Sequence, residues 1–315
     1  MPGLWVSRDA RQAATGDAAC EGGGQYDAHW EGRRRYGLFD ARRPHLPRNE
    51  RRLGRLDDSP RVGRLAESDL HLSRQIPALV CAYVDRALPG LIAVPAAVRI
   101  TQSGEMWLKP GSRARQFKAV QDYAVRRVAF SWRAQFPLAP LVSLRVVDRY
   151  ADGAGSLEAR VLGRVRVMRQ SGPETSLGEA LRYLAELVWV PHAMTANHWL
   201  EWRQLDEHSV EVATSTGSAR GAVVLEFDAA GDVTGARCDS RPYQQGGSFV
   251  PRPWAGTFSE YGTIDGVRIP TRGEVYWELP DGPYTYWRGT VTSVEPAAPA
   301  SRPLNESGRI TRSSG

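Results

Sequence analysis

Two glutamates stand near tryptophans in a pattern that could support acid–base chemistry. Glu186 precedes Trp189 by three residues, and Glu274 precedes Trp277 by the same spacing. A carboxyl group held in an apolar pocket has a raised pKa and can act as a general acid. Pairing with arginine is the alternative, because it keeps the carboxylate ionised. The arginines available for this are Arg182, Arg268 and Arg288.

The histidines do not form a recognisable metal-binding pattern. His192, His198 and His208 lie close together in the sequence, but their spacing matches no common metal motif. Nucleophile-elbow, phosphate-loop and dinucleotide-binding motifs are also missing. We therefore expect no metal and no cofactor. His192 is a candidate only as a partner of Glu186 or Glu274 in an enzyme.

Aromatic residues are concentrated in the second half of the chain, and they exceed what one flat sheet face can cover. Most must belong to the core, but the surplus predicts an apolar groove. We expect that groove to be lined by aromatic and charged side chains together. The predicted ligand-binding residues are Arg182, Glu186, Trp189, Trp254, Tyr261, Trp277, Trp287 and Arg288.

One strong helical pattern runs over about residues 176–190 and ends at Pro191. Ser176 and Glu179 match a capping box at its start. The pattern carries one apolar stripe and a second, polar-aromatic stripe that contains Glu179, Arg182, Glu186 and Trp189. The second stripe is either a solvated face or the lining of a cavity inside a curved sheet. The apolar stripe contains Leu177, Leu181, Leu184 and Val188.

The rest of the body alternates apolar and polar residues with period 2, which is typical of strands with one buried face. The runs that begin at Val128, Leu157 and Val267 show it most clearly, and the second run places Val165 and Val167 on the buried face. Turn dipeptides between the runs favour a meander of nine to eleven strands. The predicted class is therefore mainly β (α+β), with a long antiparallel meander forming a curved sheet or half-barrel around the central helix. A short helix at about 75–88 precedes it.

Composition divides the chain into three parts. Residues 1–75 are rich in arginine and lack periodicity, which is typical of a disordered leader, a basic arm or a mis-assigned start. Residues 76–295 are expected to form a single β domain, and 296–315 a disordered tail. The net charge is +6, but the body is nearly balanced, so nucleic-acid binding is not indicated.

Cysteine usage and hydropathy bear on the compartment. Cys20, Cys81 and Cys238 are few and widely spaced, which fits a reducing compartment. A disulfide between Cys81 and Cys238 is the alternative that the sequence allows. Neither a secretory signal nor a membrane-spanning segment is visible. As written, the sequence predicts a cytoplasmic protein, and envelope association would follow if the start is mis-assigned.

Several short motifs follow one another in order along the body. They are Trp107-Leu108-Lys109-Pro110, Asp148-Arg149-Tyr150, Ser171-Gly172-Pro173-Glu174, Arg182-Tyr183-Leu184-Ala185-Glu186, Pro253-Trp254-Ala255-Gly256, Gly266-Val267-Arg268-Ile269-Pro270 and Tyr286-Trp287-Arg288-Gly289. The series resembles a bacterial family of uncharacterised proteins over about residues 76–295, which brings no established activity. The architecture also resembles the half-barrel of bacterial lipoprotein carriers, which implies an apolar cavity for acyl chains.

Three functions follow as hypotheses. The first is a non-catalytic module that holds a lipid or other apolar ligand, with Arg182, Glu186 and Arg288 at the mouth of its cavity. The second is a structural or partner-binding domain, which an exposed apolar patch would indicate. The third is a hydrolase-like enzyme that uses Glu186 or Glu274 as general acid or base. The oligomeric state is not predicted.

Overall fold

Thirteen antiparallel strands form a curled sheet, a half-barrel whose concave face carries the hydrophobic core. The computed structural model describes residues 75–90, 93–216 and 219–297. The predicted class, a mainly antiparallel half-barrel around a central helix, is confirmed. Of the predicted leader and tail, all but Gln75, Pro296 and Ala297 lie outside the described residues.

Helix α1 (Ala78–Ala87) precedes the sheet and lies within the predicted range 75–88. Its buried face carries Val80, Tyr83 and Val84, as its helical spacing of apolar residues requires. The Tyr83 hydroxyl donates a hydrogen bond of 2.8 Å to the carbonyl of Val188, which fixes α1 against the central helical segment.

The first six strands form a meander in which each strand pairs with the next. Period-2 alternation places every second residue on the concave face, and in the fourth strand these are Leu144, Val146, Asp148 and Tyr150. The strands are β1 (Ala97–Met106), β2 (Arg115–Ala124), β3 (Phe130–Ala139), β4 (Val142–Ala151), β5 (Ala154–Val161) and β6 (Val165–Ser171).

A helical segment links the two edges of the sheet. Helix α2 (Pro173–Ala185) continues into a 3₁₀ turn (Glu186–Trp189) and is followed by α3 (Pro191–Ala196). Helix α2 packs on β4, β5 and β6, and it also packs on three strands of the second half of the sheet. It therefore occupies the concave face.

Seven further strands form a second meander, and its last strand returns to pair with β1. This β1–β13 pairing is the seam between the two meanders, with Met106 opposite Trp287. The strands are β7 (Glu201–Gln204), β8 (Ser209–Thr216), β9 (Ala219–Phe227), β10 (Val233–Gln245), β11 (Ser248–Ile264), β12 (Val267–Leu279) and β13 (Gly282–Ala297).

The central helix is confirmed, but the capping box predicted at Ser176 and Glu179 does not form. Helix α2 begins at Pro173, and Gly172, with φ of 124°, precedes it. Ser176 is therefore inside the first turn, where its hydroxyl bonds the carbonyl of Gly172 and accepts the backbone N–H of Gly155. Glu179 makes no capping bond and is instead buried inside the half-barrel. Proline at the first helical position sets the earlier start, because its fixed φ suits that position.

Two strand predictions also need correction. The described residues contain thirteen strands and not nine to eleven. Val165 and Val167 are exposed, because the turn after Val161 and an irregularity in the β5–β6 pairing interrupt the alternation that begins at Leu157. The two cysteines in the described part, Cys81 and Cys238, carry free thiols.

The described residues satisfy neither the requirements of a membrane-spanning helix nor those of a three-ligand metal site. Their helices include none with both the length and the apolar character needed to cross a membrane. Their His, Cys, Asp and Glu side chains form no group of three that could hold a metal ion.

Candidate functional site

The guanidinium of Arg182 is the centre of a buried charged cluster between α2 and the first meander. Its Nη1 donates to Asp148 Oδ2 at 2.6 Å, and its Nε donates to Glu186 Oε1 at 2.9 Å. The guanidinium carbon lies 5.1 Å from the ring centres of both Phe130 and Trp132. Helical spacing places Arg182 and Glu186 one turn apart on one face, and β4 brings Asp148 to them.

Glu186 is fully engaged by polar partners. Its second oxygen accepts hydrogen bonds from Gln121 Nε2, at 2.8 Å, and from the Tyr123 hydroxyl. Burial and the charge of Glu186 together raise the pKa of Tyr123 well above its usual range, so this hydroxyl stays protonated and donating. The arrangement holds Glu186 in one position beside Arg182.

Glu179 and Asp148 form a buried carboxyl pair that adjoins this cluster. Burial, reinforced by the charge of Asp148, raises the pKa of Glu179 to about 8. Burial also raises the pKa of Asp148, whereas Arg182 lowers it. Glu179 is therefore protonated at neutral pH, while Asp148 is the carboxylate that faces the guanidinium. A protonated Glu179 donates a hydrogen bond to Asp148, and Asp148 Oδ1 and Glu179 Oε2 have no other partner in the described part of the chain.

A second buried arginine, Arg241 on β10, joins α2 to the second meander. Its Nη2 donates to the carbonyl of Gly178 at 3.0 Å, and its Nη1 donates to the Tyr286 hydroxyl at 3.3 Å. Trp254 Nε1 donates to the same hydroxyl at 3.1 Å, and the Arg241 guanidinium stacks 4.3 Å from the Trp254 ring centre. Arg241 Nε is buried and finds no partner among the described residues.

A cavity of about 40 Å³ lies between the charged cluster and an aromatic wall. The register of β12 against β13 shifts between Val275 and Tyr276, which leaves Tyr286 as an extra residue. Tyr286 and its neighbour Trp287 both line the cavity because of this bulge. The lining consists of Met106, Trp132, Asp148, Glu179, Arg182, Ala185, Glu186, Trp189, Arg241, Trp254, Gly256, Phe258, Val275, Tyr286 and Trp287.

Gly273 leaves room for one of these aromatic rings. A Cβ added there would lie 2.9 Å from Cζ2 of Trp189. Trp189 Nε1 donates to the carbonyl of Pro270 at 3.0 Å, so the indole is held in place over the glycine.

Five of the residues predicted to bind a ligand meet at this cavity: Arg182, Glu186, Trp189, Trp254 and Trp287. Both stripes of the central helix are therefore inside, and the second stripe is not a solvated face. Trp277 lies behind the lining, where it contacts Arg241 and Tyr243.

The other predicted residues lie elsewhere. Arg288 and Glu274 alternate with the inward-facing Trp287 and Val275, so they lie on the opposite face, where they form a half-exposed ion pair with Nε to Oε1 at 2.6 Å. Tyr261 packs beside Tyr83 of α1.

His192 does not join the carboxylates. It is buried in α3 and lines a different pocket, of about 340 Å³, together with residues such as Leu88, Val267 and Val294. Burial lowers the pKa of His192 to about 4, so the imidazole is neutral at neutral pH. The structure therefore places Glu186, Glu274 and His192 at three separate positions.

Sequence reasoning missed Asp148, Glu179 and Arg241. Asp148 interrupts the apolar series of β4 at an inward-facing position, which was a usable signal. The sequence pattern places Glu179 on the same helix stripe as Arg182, but its assignment to a capping box left it out of the predicted ligand-binding residues. Nothing local marks Arg241, because its position depends on the irregular β10–β11 pairing between Cys238 and Arg241.

Comparisons with known proteins place the chain only at the level of a family. A LolA superfamily protein from Nitrosomonas europaea is 10% identical to this chain, with a TM-score of 0.38. The aligned region covers 70% of this chain and 92% of the Nitrosomonas protein. A DUF1329 family protein from Desulfovibrio piger is also 10% identical, with a TM-score of 0.39. The aligned region covers 69% of this chain and 90% of the Desulfovibrio protein. No curated protein matches. Residues 67–289 match the family of unknown function DUF6544, and the chain belongs to that family.

Proposed function

We propose that this chain is a non-catalytic binding module that holds a mainly apolar molecule with one neutral polar group in the concave cavity. The observation that supports this most is the composition of the cavity. It joins an aromatic wall to the buried Arg241 Nε, which has no partner in the described residues, and to Asp148 Oδ1 and Glu179 Oε2, which have no described partner outside their own carboxyl pair. Buried polar atoms are ordinarily hydrogen-bonded, so a ligand group is expected at this point.

The charge balance of the cavity favours a neutral group. Arg182 and Arg241 are cationic, Asp148 and Glu186 are anionic, and burial keeps Glu179 protonated because its pKa is about 8. The charges therefore cancel. A hydroxyl or amide both donates and accepts, which matches the unpaired Arg241 N–H and the carboxyl oxygens of the Asp148–Glu179 pair. An ionised head group would bring an uncompensated charge into a desolvated site.

The volume of the cavity limits what it can take. About 40 Å³ is room for about three water molecules. A hydroxyl group with one or two carbon atoms fits as the cavity stands, whereas a longer chain, such as that of hexanol or a lipid, requires the aromatic walls to separate. A lipid and a compact apolar molecule share the required chemistry, and the mass of a bound ligand tells them apart.

The test compares two ligands of equal length with the full chain. We expect 1-hexanol to change the fluorescence of the lining tryptophans in a saturable way, and hexanoate to have a much weaker effect. Native mass spectrometry of protein purified without detergent, followed by solvent extraction, would show whether a lipid or a compact molecule is retained. Equal binding of alcohol and carboxylate, or binding of neither together with a clean apo mass, would contradict the proposal.

Two variants locate the site. Glu179→Gln replaces a protonated carboxyl with a neutral amide of similar shape, so hexanol binding should persist. Asp148→Asn removes a charge and leaves Arg182 unbalanced beside the cavity, so hexanol binding should weaken about tenfold or more. Arg288→Gln, on the opposite face, serves as the matched control and should bind like the wild type.

A hydrolase-like enzyme is the second candidate, and one observation favours it. Glu179 has a pKa of about 8 and lies beside the carboxylate of Asp148 in an aromatic cavity, an environment that suits a general acid. In that case Glu179→Gln would abolish turnover and still bind ligand. If the protein is only a binding module, extracted ligand returns chemically unchanged after incubation.

A further inference from the structure

Two neighbouring hairpin tips carry exposed leucines. Leu141, at the β3–β4 turn, is 100% exposed, and Leu162, at the β5–β6 turn, is 55% exposed. The backbone N–H of Leu162 donates to the carbonyl of Ser143 at 2.9 Å, so the two tips lie side by side. Val165, which begins the edge strand β6, is 62% exposed. Together these residues form an apolar surface at one corner of the sheet.

The backbone conformation at both tips indicates that these leucines do not stabilise the fold. Leu141 has φ of 63° and Leu162 has φ of 52°, in the left-handed region that a bulky side chain rarely adopts. Glycine or asparagine is the usual residue at such turn positions. Leu141 gains no burial at its turn, and Leu162 keeps more than half of its surface exposed. Neither turn geometry nor packing accounts for the choice of leucine.

Arginines surround the same corner. Arg145 is exposed on β4 and lies against the β5–β6 turn, since a Cβ added at Gly163 would be 3.3 Å from its Nη1. Glu158, the acidic residue of β5, is paired with Arg160. The exposed arginines of β6 and the turn before it are Arg164, Arg166 and Arg169.

We propose that this corner, formed by Leu141, Leu162, Val165 and the arginines around them, docks on an anionic lipid membrane surface. The leucines enter the apolar layer, and the arginine guanidinium groups meet lipid phosphates. The occupant is inferred from charge complementarity and shape. Protruding tips need a matching hollow in a protein partner, whereas a fluid bilayer adapts to them. This proposal does not depend on the cavity described above.

Sedimentation of the full chain with lipid vesicles tests the proposal. We expect binding to vesicles that contain phosphatidylglycerol, weaker binding to pure phosphatidylcholine, and loss of binding as salt concentration rises. Replacing Arg164, Arg166 and Arg169 together by glutamine should reduce affinity for the anionic vesicles about a hundredfold. The double variant Leu141→Asn/Leu162→Asn should reduce it at least about tenfold.

The leucine variant separates docking from folding. Asparagine suits the left-handed turn position, so the double variant should have a Tm equal to or above that of the wild type. Leu205→Asn is the matched control, because Leu205 is also exposed but lies before β8, away from the corner. Failure of the wild-type chain to bind anionic vesicles would overturn the proposal and assign the corner to a protein partner. Unchanged binding by the double variant would overturn it as well.

Discussion

Arg182 Nη1 lies 2.6 Å from Asp148 Oδ2, and this ion pair joins the central helix to β4 inside the half-barrel. The aspartate side chain is 1% exposed and the arginine side chain 13%. A buried pair of this kind adds little net stability over an apolar pair, but removing one partner leaves a desolvated charge. The same pair also sets the charge balance of the cavity, so its loss should affect both folding and binding.

Arg182→Met should lower the free energy of unfolding by about 3–5 kcal/mol, because Asp148 and Glu186 lose their counter-ion inside the protein. Urea denaturation followed by tryptophan fluorescence measures the change. Arg288→Met is the matched control: Arg288 also pairs with a glutamate, but on the exposed face, and its loss should cost less than about 1 kcal/mol. Similar losses for both variants would contradict the assigned role of Arg182.

Adding Asp148→Asn to Arg182→Met should recover part of the stability that the arginine variant loses. Removal of the carboxylate charge relieves the unpaired desolvated group that Arg182→Met leaves behind. A double-mutant cycle measures the coupling between the two side chains. Strictly additive losses would show that the two residues do not interact in solution.

Glu179 should make the protein less stable as pH rises. Its pKa is about 8 in the folded protein against an ordinary value of 4.5, so the folded state keeps a proton that the unfolded state loses. The stability that the protonated Glu179 contributes is fully present below pH 4.5, and it is lost as pH rises towards 8, with a slope of about 1 kcal/mol per pH unit. Urea unfolding at a series of pH values measures the slope. In Glu179→Gln the slope should be flatter, and an unchanged slope would disprove the assignment.

His192 should make the protein less stable as pH falls. Burial lowers its pKa to about 4 from an ordinary 6.5, so the unfolded chain takes up a proton in a range where the folded chain does not. Stability from the neutral imidazole is therefore present above pH 6.5 and falls as pH approaches 4. His192→Gln should reduce this acid sensitivity in urea titrations between those two values. Equal acid sensitivity of variant and wild type would contradict burial of a neutral imidazole.

Gly104→Ala should destabilise the seam between β1 and β13. A Cβ at Gly104 would lie 2.8 Å from Cα of Gly289 and would also meet the carbonyl oxygen of Arg288, and backbone atoms cannot turn aside. The expected loss is about 1–3 kcal/mol, measured as a lower urea midpoint with an unchanged slope. Gly262→Ala in β11 is the control, because its added methyl would meet Thr271 Cγ2 at an ordinary 3.4 Å.

Local patterns predicted the strands and the helices well, because each depends on neighbours in the sequence. Alternation at Phe130, Trp132 and Ala134 assigns β3 to one buried face without reference to the rest of the chain. The same reasoning failed at Val165, where a turn and an irregular pairing reset the alternation. A period of two carries no information about such irregularities.

The site was only partly predictable for a related reason. Arg182, Glu186 and Trp189 share one helix face, so spacing alone brings them together. Arg288 seemed equivalent to them, yet the alternation of β13 places it on the far side of the sheet from Trp287. Tyr286 adopts its inward position only through a bulge that its pairing with β12 creates. The pairing register between strands therefore determines which side chains line the cavity.

The seam between β1 and β13 has a consequence for biosynthesis. Ala97 lies opposite Ala297, so the first strand of the sheet must wait for the last before its outer edge is covered. Hairpins β1 to β6 can form as the chain leaves the ribosome, but β1 then exposes an unpaired edge until β13 has been translated. Such late, distant pairing slows folding. During that interval the unpaired edge can pair with another chain, and a chain that ends before β13 keeps an edge prone to aggregation.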